Sequence, residues 1–190
     1  SSIISIILKK YFKLNVFKIS IDDFYKTRNE RIKLSKYKHP LLMTRGVPGT
    51  HDCKIISKFF KKVKSKKFKQ LKLPKFDKSI DDRCPKKLWY KINSRPDIII
   101  LEGWCVGAKA QKNSQILKPI NSLEKSKDLS LVWRKYVNNQ LKKQYKSLFK
   151  QLNEIIYLRA NNFKVLQQWR IKQEKTLWLK SKNKKNLRIM

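Results

Sequence analysis

At 190 residues the chain is long enough for one ordinary domain with a real core, since domains cluster near ~100–150 residues, and its apolar start Ile3 to Leu8 is far too short to span a bilayer and lacks the basic flank and cleavage site of a signal peptide. Lys+Arg number 48 against 13 Asp+Glu, a formal charge of +35, but only nine of the 48 are Arg, and the lysines run through nearly every segment as solvated point charges without the planar fork that reads guanine or clamps phosphate. That distribution favours a background surface composition over a dedicated nucleic-acid interface, while Cys53, Cys84 and Cys105 show no C-x-x-C spacing and complete no metal cluster with His39 and His51, which fits free thiols in a reducing cytosol.

Ser2 to Tyr11 carries apolar residues at 3, 4, 6, 7, 8 and 11 with no breaker, and predicts a mostly buried helix. Asn15 begins a turn into Val16–Ser20, a short β-branched run that predicts a buried strand ending in the paired carboxylates Asp22 and Asp23. Asp52 is placed to cap a helix over Cys53 to Val63, whose apolar residues 55, 56, 59, 60 and 63 recur at helical spacing. Phe68 to Leu73 alternates apolar with polar and stops at Pro74, the pattern of an edge strand. Asp97 to Leu101 is too apolar for a solvated strand and delivers Glu102 and then Gly103. A long amphipathic helix is predicted over Leu129 to Leu152, a strand over Glu154 to Arg159, and a helix over Phe163 to Leu179 with a low-complexity tail from Lys180. Strands alternating with helices at this spacing predict an α/β fold, a parallel sheet flanked by helices.

Open α/β sheets bind ligands at the carboxyl ends of their strands, so two strands with acidic tips point to one shared site suited to phosphoryl transfer. Asp22 and Asp23 are equally consistent with ordinary turn residues. Glu102 is harder to explain structurally, because a carboxylate at the end of a buried strand needs a charge partner, which a magnesium ion would supply. The loop His39 to Asp52 concentrates two of the four glycines, two prolines, both histidines and Arg45, a stiff wall with close backbone approach for a small anion. Leu73 to Arg83 is a further loop of mixed charge in which Asp81 and Asp82, taken singly, are expected to be solvated.

Together these segments resemble the glycerate 3-kinase group within the uridine kinase and phosphoribulokinase branch of P-loop kinases. The resemblance rests on SIDDFY (20–25), HPLLMTRGVPGTHD (39–52), LPKFDKSIDDR (73–83), ILEGWCVG (100–107) and WRKYVN (133–138), in order and spacing over about 16 to 174. It implies an ATP- and Mg²⁺-dependent cytoplasmic kinase acting on a small hydroxy acid, D-glycerate first among the candidates, although related enzymes use nucleosides, pantothenate or ribulose phosphate. By the same resemblance Asp22 is the carboxylate that orients the acceptor hydroxyl, and Glu102 is the Walker B acid near the metal. Asp23, Tyr25, His39, Arg45, His51, Asp77 and Arg83 form the substrate wall, and Arg159 and Arg170 are lid arginines on the transferred phosphate. No G-x-x-x-x-G-K-S/T occurs, and Ser1 resembles the metal-binding hydroxyl that follows that loop. The expectation is therefore a single incomplete domain over 1–190, part of a longer protein, with the first strand and glycine-rich loop upstream and a strand downstream, and inactive on its own. Its expected partner is a small anionic substrate, with neither membrane nor nucleic acid. Two other readings stand beside this one: a non-catalytic homologue beginning near Ser1, and a basic nucleic-acid-binding module, which no aromatic RNA motif or helix-turn-helix pattern supports.

Overall fold

The computed structural model describes residues 1–160 and 162–182. The chain divides into two compact units, Ser1–Asn153 and a second that begins at Glu154.

In the first unit, helix α1 (Ser2–Lys10) leads into strand β1 (Val16–Ser20), which lies parallel to the later strand β6 (Ile98–Glu102). Register is fixed at the strand starts. The Asn15 amide donates to the Asp97 carboxylate at 2.8 Å, the Asp97 N–H returns a bond to the Asn15 carbonyl at 2.8 Å, and Asn15 Nδ2 donates to the Arg95 carbonyl at 2.8 Å. With Val16 locked opposite Ile98, the pairing runs out to Ser20 opposite Glu102. A one-residue slip would turn every side chain to the wrong face, so this clasp decides which acidic groups share the carboxyl edge.

After β1 the chain makes a 3₁₀ turn (Ile21–Phe24) and enters α2 (Arg28–Tyr37) through a reciprocal cap. The Thr27 N–H donates to Glu30 Oε2 at 2.7 Å and the Glu30 N–H donates to Thr27 Oγ1 at 3.3 Å. Helix α3 (Cys53–Lys64) starts where the Asp52 carboxylate accepts the Ile55 N–H, and it ends in Lys61, Lys62 and Lys64, which suit the negative end of the helix dipole. Its buried face of Cys53, Ile56, Phe59, Phe60 and Val63 joins Ile19, Ile21, Phe24, Tyr145 and Leu148 in one core. Each such aliphatic or phenyl group contributes about 1.5–3 kcal/mol by leaving water. Two antiparallel ribbons follow: β2 (Leu71–Leu73) with β5 (Tyr90–Ile92), and the hairpin β3 (Phe76–Asp77) with β4 (Asp82–Arg83).

Short helices α4 (Asn113–Ile116) and α5 (Ser122–Lys127) precede a rod made of α6 (Val132–Gln140), a π-helical turn (Leu141–Tyr145) and α7 (Lys146–Phe149). Asp128 starts the rod by accepting the N–H groups of Trp133 and Arg134 at 2.8 and 3.0 Å. The π turn admits one extra residue into the helix, a distortion often found at functional sites, and it ends at Tyr145, which is fully buried. In the second unit, α8 (Phe163–Lys182) is the regular element.

Several expectations change. Helix α1 forms, but only Ser5 is buried, with Ile3 73 % and Ile6 60 % exposed, because α1 meets β1 on one side and no described residue covers the other. The rod starts at Val132, where Asp128 supplies the cap, and not at Leu129. The alternating stretch from Phe68 pairs only over Leu71–Leu73, where β5 lies alongside. Glu154 to Arg159 is not a strand: a strand exists only by pairing its backbone, and Ile155 to Leu158 are unpaired and exposed among the described residues. The predicted helix over 163–179 is present, and the tail from 183 lies outside the described residues. The predicted parallel sheet is the pair β1–β6, with the other strands in antiparallel ribbons. No helix among the described residues is long and apolar enough to cross a membrane. All three cysteines are unpaired and buried.

Candidate active site

The parallel register brings Ser20 opposite Glu102, so the turn carrying Asp22 and the tip of β6 leave the same edge. Ser1, one residue before α1, donates its hydroxyl hydrogen to Glu102 Oε2, and Lys18 Nζ donates to Ser2 Oγ at 3.1 Å on the same side. Past Glu102 the chain turns at Gly103 (φ +158°), where a Cβ would lie 2.3 Å from Ile21 Cγ2. The close approach of β6 to the Asp22 turn thus requires glycine.

Ser20 Oγ accepts the Asp22 N–H at 3.2 Å and opens the 3₁₀ turn. Asp22 Oδ2 pairs with Lys78 Nζ at 2.9 Å, while Asp22 Oδ1 is buried with no partner. Asp23 turns the other way: its Oδ1 accepts the Phe76 N–H at 3.3 Å, and burial pushes its carboxyl above the usual range, an effect the Phe76 bond partly offsets. Asp23 therefore anchors the β3–β4 hairpin beneath the site. Tyr25 is buried, stacked on the His51 ring at 4.3 Å between centroids and edge-on to Phe76 at 5.3 Å. Burial, and then the Asp22 carboxylate, raise its phenol well above the ordinary value.

The 39–52 loop folds over this turn. The Lys26 N–H donates to the Thr50 carbonyl and the Asp52 N–H to the Phe24 carbonyl, at 2.8 and 2.7 Å. Trp104, just past Glu102, donates Nε1–H to the Gly46 carbonyl at 3.1 Å. His51 is buried; its Nδ1 shares a 2.6 Å hydrogen bond with Tyr145 Oη, and its Nε2 has no partner. Burial lowers its pKa to about 4 despite the opposing pull of Asp22, so the ring is neutral near pH 7. His39 instead accepts the Leu41 N–H through Nδ1 and lies 3.8 Å from Asp128, at the head of the rod.

Arg45 and Arg31 both grip Asp81. Arg45 Nη1 pairs with Oδ1, Arg31 Nη2 lies 3.0 Å from Oδ2, and both guanidinium groups lie about 5.8–5.9 Å from the Phe76 ring. Burial opposes the Asp81 charge, but the two arginines outweigh it and hold the carboxyl below its usual range. Arg31 is fully buried, with Nε donating to the Lys26 carbonyl at 3.2 Å and Nη1 to the Met43 carbonyl at 2.8 Å. Asp82 accepts the Arg28 N–H at 3.0 Å. Asp81 and Asp82 are thus structural partners and not solvated charges. Arg83 donates Nη2–H to the Tyr25 carbonyl at 2.8 Å, leaving Nε buried and unpartnered. Asp77 is at the surface, its carboxylate held by the Ser79 N–H and hydroxyl at 2.8 and 2.6 Å.

Of the residues singled out in the sequence, Tyr25 stacks on His51, lies near the Asp22 carboxylate and accepts from Arg83 through its backbone carbonyl, and Ser1 and Glu102 stand together on the adjoining edge. Asp23 and Asp77 spend their carboxylates on the hairpin, and His39 faces the rod. Arg159 and Arg170 belong to the second unit, Arg159 in irregular chain and Arg170 in α8. Sequence reasoning missed Arg31, Tyr145 and Lys78. With only nine arginines in the chain, scarcity itself was the available signal for Arg31. Beside the loop, Val47, Pro48, Trp104, Trp133 and Val137 help line a cavity of about 350 Å³.

The donor set suits a hard cation. Magnesium favours oxygen ligands and is held by one or two carboxylates together with nucleotide phosphates, and the hydroxyl of Ser1 beside the Glu102 carboxylate offers that chemistry. No group of three or more His, Cys, Asp or Glu among the described residues is placed to hold a metal alone.

No protein-family profile matches the chain. It is 29 % identical over 171 residues to an uncharacterized kinase, mug58, of Schizosaccharomyces pombe, covering 86 % of this chain and 60 % of that protein. It is 40 % identical over 98 residues to the probable ATP-dependent kinase TDA10 of Saccharomyces cerevisiae, covering 46 % of this chain and 33 % of that one. The solved structure of D-glycerate 3-kinase from Cryptococcus neoformans superposes with a TM-score of 0.77 at 26 % identity, over 92 % of this chain and 64 % of that one. The chain thus spans less than two thirds of the relatives it matches. In sequence and in its α/β fold, the chain is similar to these kinases, D-glycerate 3-kinase among them.

Proposed function

We propose that the protein to which this chain belongs transfers the γ-phosphoryl group of ATP to a hydroxyl of a small hydroxy acid, D-glycerate being the first candidate. The observation that carries this reading is the shared edge: β1 and β6 are clasped in register, so the Asp22 turn and Glu102 emerge together, and Asp22 keeps one buried oxygen without a partner. An unsatisfied buried carboxylate oxygen is costly unless a ligand completes it.

Phosphoryl transfer needs alignment and charge neutralisation more than covalent chemistry. Lys78 holds Asp22 Oδ2, which fixes the carboxylate plane and leaves Oδ1 to accept a hydrogen bond from the acceptor hydroxyl. Because an ordinary carboxylate is a weak base, it takes that proton late, and its main work is orientation. Arg83 Nε and His51 Nε2 are the neighbouring unpartnered atoms, suited to the oxygens of a small acid. Ser1 and Glu102 would hold Mg²⁺. When bound, Mg–ATP supplies the electrophilic phosphoryl group and neutralises the charge that develops on it. The lysines serve as solvated surface, and a cytoplasmic setting is part of the same proposal.

The test is ADP release by the full-length protein across small hydroxy acids, nucleosides, pantothenate and ribulose 5-phosphate, with ATP and Mg²⁺. Turnover concentrated on a hydroxy acid supports the proposal; turnover on a nucleoside alone, or on none, overturns it.

A further inference from the structure

Tyr145 has no assigned role, yet it ends the π turn in the rod and places its hydroxyl, fully buried, against the most distinctive loop of the chain. Its oxygen accepts the Gly49 N–H at 2.9 Å, and Gly49 tolerates no side chain, since a Cβ there would meet Tyr136 at 2.5 Å. The same oxygen is 2.6 Å from His51 Nδ1. A phenol has one proton to give, and the neutral imidazole nitrogen is a stronger acceptor than the nearby Cys53 thiol. The proton therefore goes to Nδ1, which leaves the hydrogen of His51 on Nε2, buried and unpartnered. The His51 ring stacks on Tyr25 and feels the charge of Asp22, whose Oδ1 is a buried acceptor without a partner, while Arg83, which donates to the Tyr25 backbone carbonyl, keeps an unpartnered donor at Nε.

We propose that Tyr145 is a positioning residue for the acceptor substrate: its phenol O–H holds His51 in the Nε2–H tautomer, so that a fixed, uncharged donor faces the substrate beside the acceptor oxygen of Asp22. A hydroxy acid satisfies both, its hydroxyl hydrogen going to Asp22 and an oxygen lone pair accepting from His51. The π turn is what brings the phenol to this position; a regular α-helix through 141–145 would carry residue 145 to a different angle on the rod. This inference rests on the kinase reading only for the identity of what His51 faces. The tautomer itself is independent of it.

The first experiment is long-range ¹H–¹⁵N correlation NMR on the full-length protein labelled in histidine, with His51 assigned from the spectrum that His51→Gln removes. The wild type is expected to show His51 protonated on Nε2 and bare on Nδ1 at pH 7. Protonation on Nδ1 overturns the proposal without needing any variant to fold. In Tyr145→Phe the fixed preference should give way to tautomer exchange, and KM for the hydroxy acid should rise about tenfold, the loss of one well-placed hydrogen bond, with KM for ATP within about twofold. An unchanged tautomer or an unchanged acceptor KM in a folded Tyr145→Phe protein also overturns it. If no acceptor is turned over, the function proposed above fails, while the NMR result still decides the role of Tyr145.

Discussion

Acid should weaken this protein through His51 in a defined window. The ring is buried between Tyr25 and Tyr145, and burial lowers its pKa from an ordinary 6.5 to about 4, with Asp22 pulling the other way and Lys26 adding slightly to the drop. The unfolded chain therefore binds a proton that the folded chain refuses. Where the unfolded state binds more protons, stability falls as pH falls, so the loss begins near pH 6.5, is complete near pH 4, and is absent above 7. At about 1.4 kcal/mol per pH unit the whole loss comes to about 3 kcal/mol, and about three quarters of it has gone by pH 4.5. Urea unfolding of the wild type and of His51→Gln at pH 7 and pH 4.5 isolates this contribution, because carboxylates such as Asp81 and Asp128 titrate in both proteins. The wild type should lose about 2–3 kcal/mol more than the variant over that interval. Parallel losses, differing by less than about 0.5 kcal/mol, would mean that His51 is solvated or charged in the fold, and would refute the argument from burial.

Two further substitutions probe the frame that holds the site. Arg31→Met leaves the Asp81 carboxylate and the carbonyls of Lys26 and Met43 short of a donor, and leaving such acceptors unsatisfied costs about 1–3 kcal/mol, since Arg45 still pairs with Asp81. Denaturant titration should show a loss of that size, and one below about 1 kcal/mol would show that Arg45 alone secures Asp81. Gly49→Ala forces a side chain into a φ of +106° and against Tyr136. It should cost about 1–3 kcal/mol and raise the acceptor KM by displacing the Tyr145 bond; a stability and KM equal to wild type would show that the loop shifts freely.

Much of this was legible in the residues because the signals were local. The β-branched run Val16–Ser20 with carboxylates after it, the apolar run that ends in Glu102, and the helical spacing behind Asp52 each specify their element within about ten residues. Both strands form, and the Asp52 cap is present. What the residues concealed depends on partners distant in the chain. Ile155 to Leu158 has the composition of a strand, but composition does not supply a neighbour to pair with. Helix α1 has an apolar stripe, but burial is set by what packs on it. Asp81 reads as a solvated turn residue until Arg31 and Arg45, fifty and thirty-six positions away, close on it. Tyr145 sits in what reads as one long amphipathic helix, and only the π turn reveals that its hydroxyl is directed at His51.

The claim on which the account turns is that the Asp22 turn and the β6 tip form one phosphoryl-transfer site. Steady-state turnover and nucleotide affinity of Asp22→Asn in the full-length protein test it most directly, since the amide preserves shape but can neither accept the proton nor keep the ion pair with Lys78. The account predicts a fall in kcat of about 100-fold or more, as expected for loss of a positioned base, with ATP affinity changed by less than about threefold. A variant that turns over at close to the wild-type rate would contradict it.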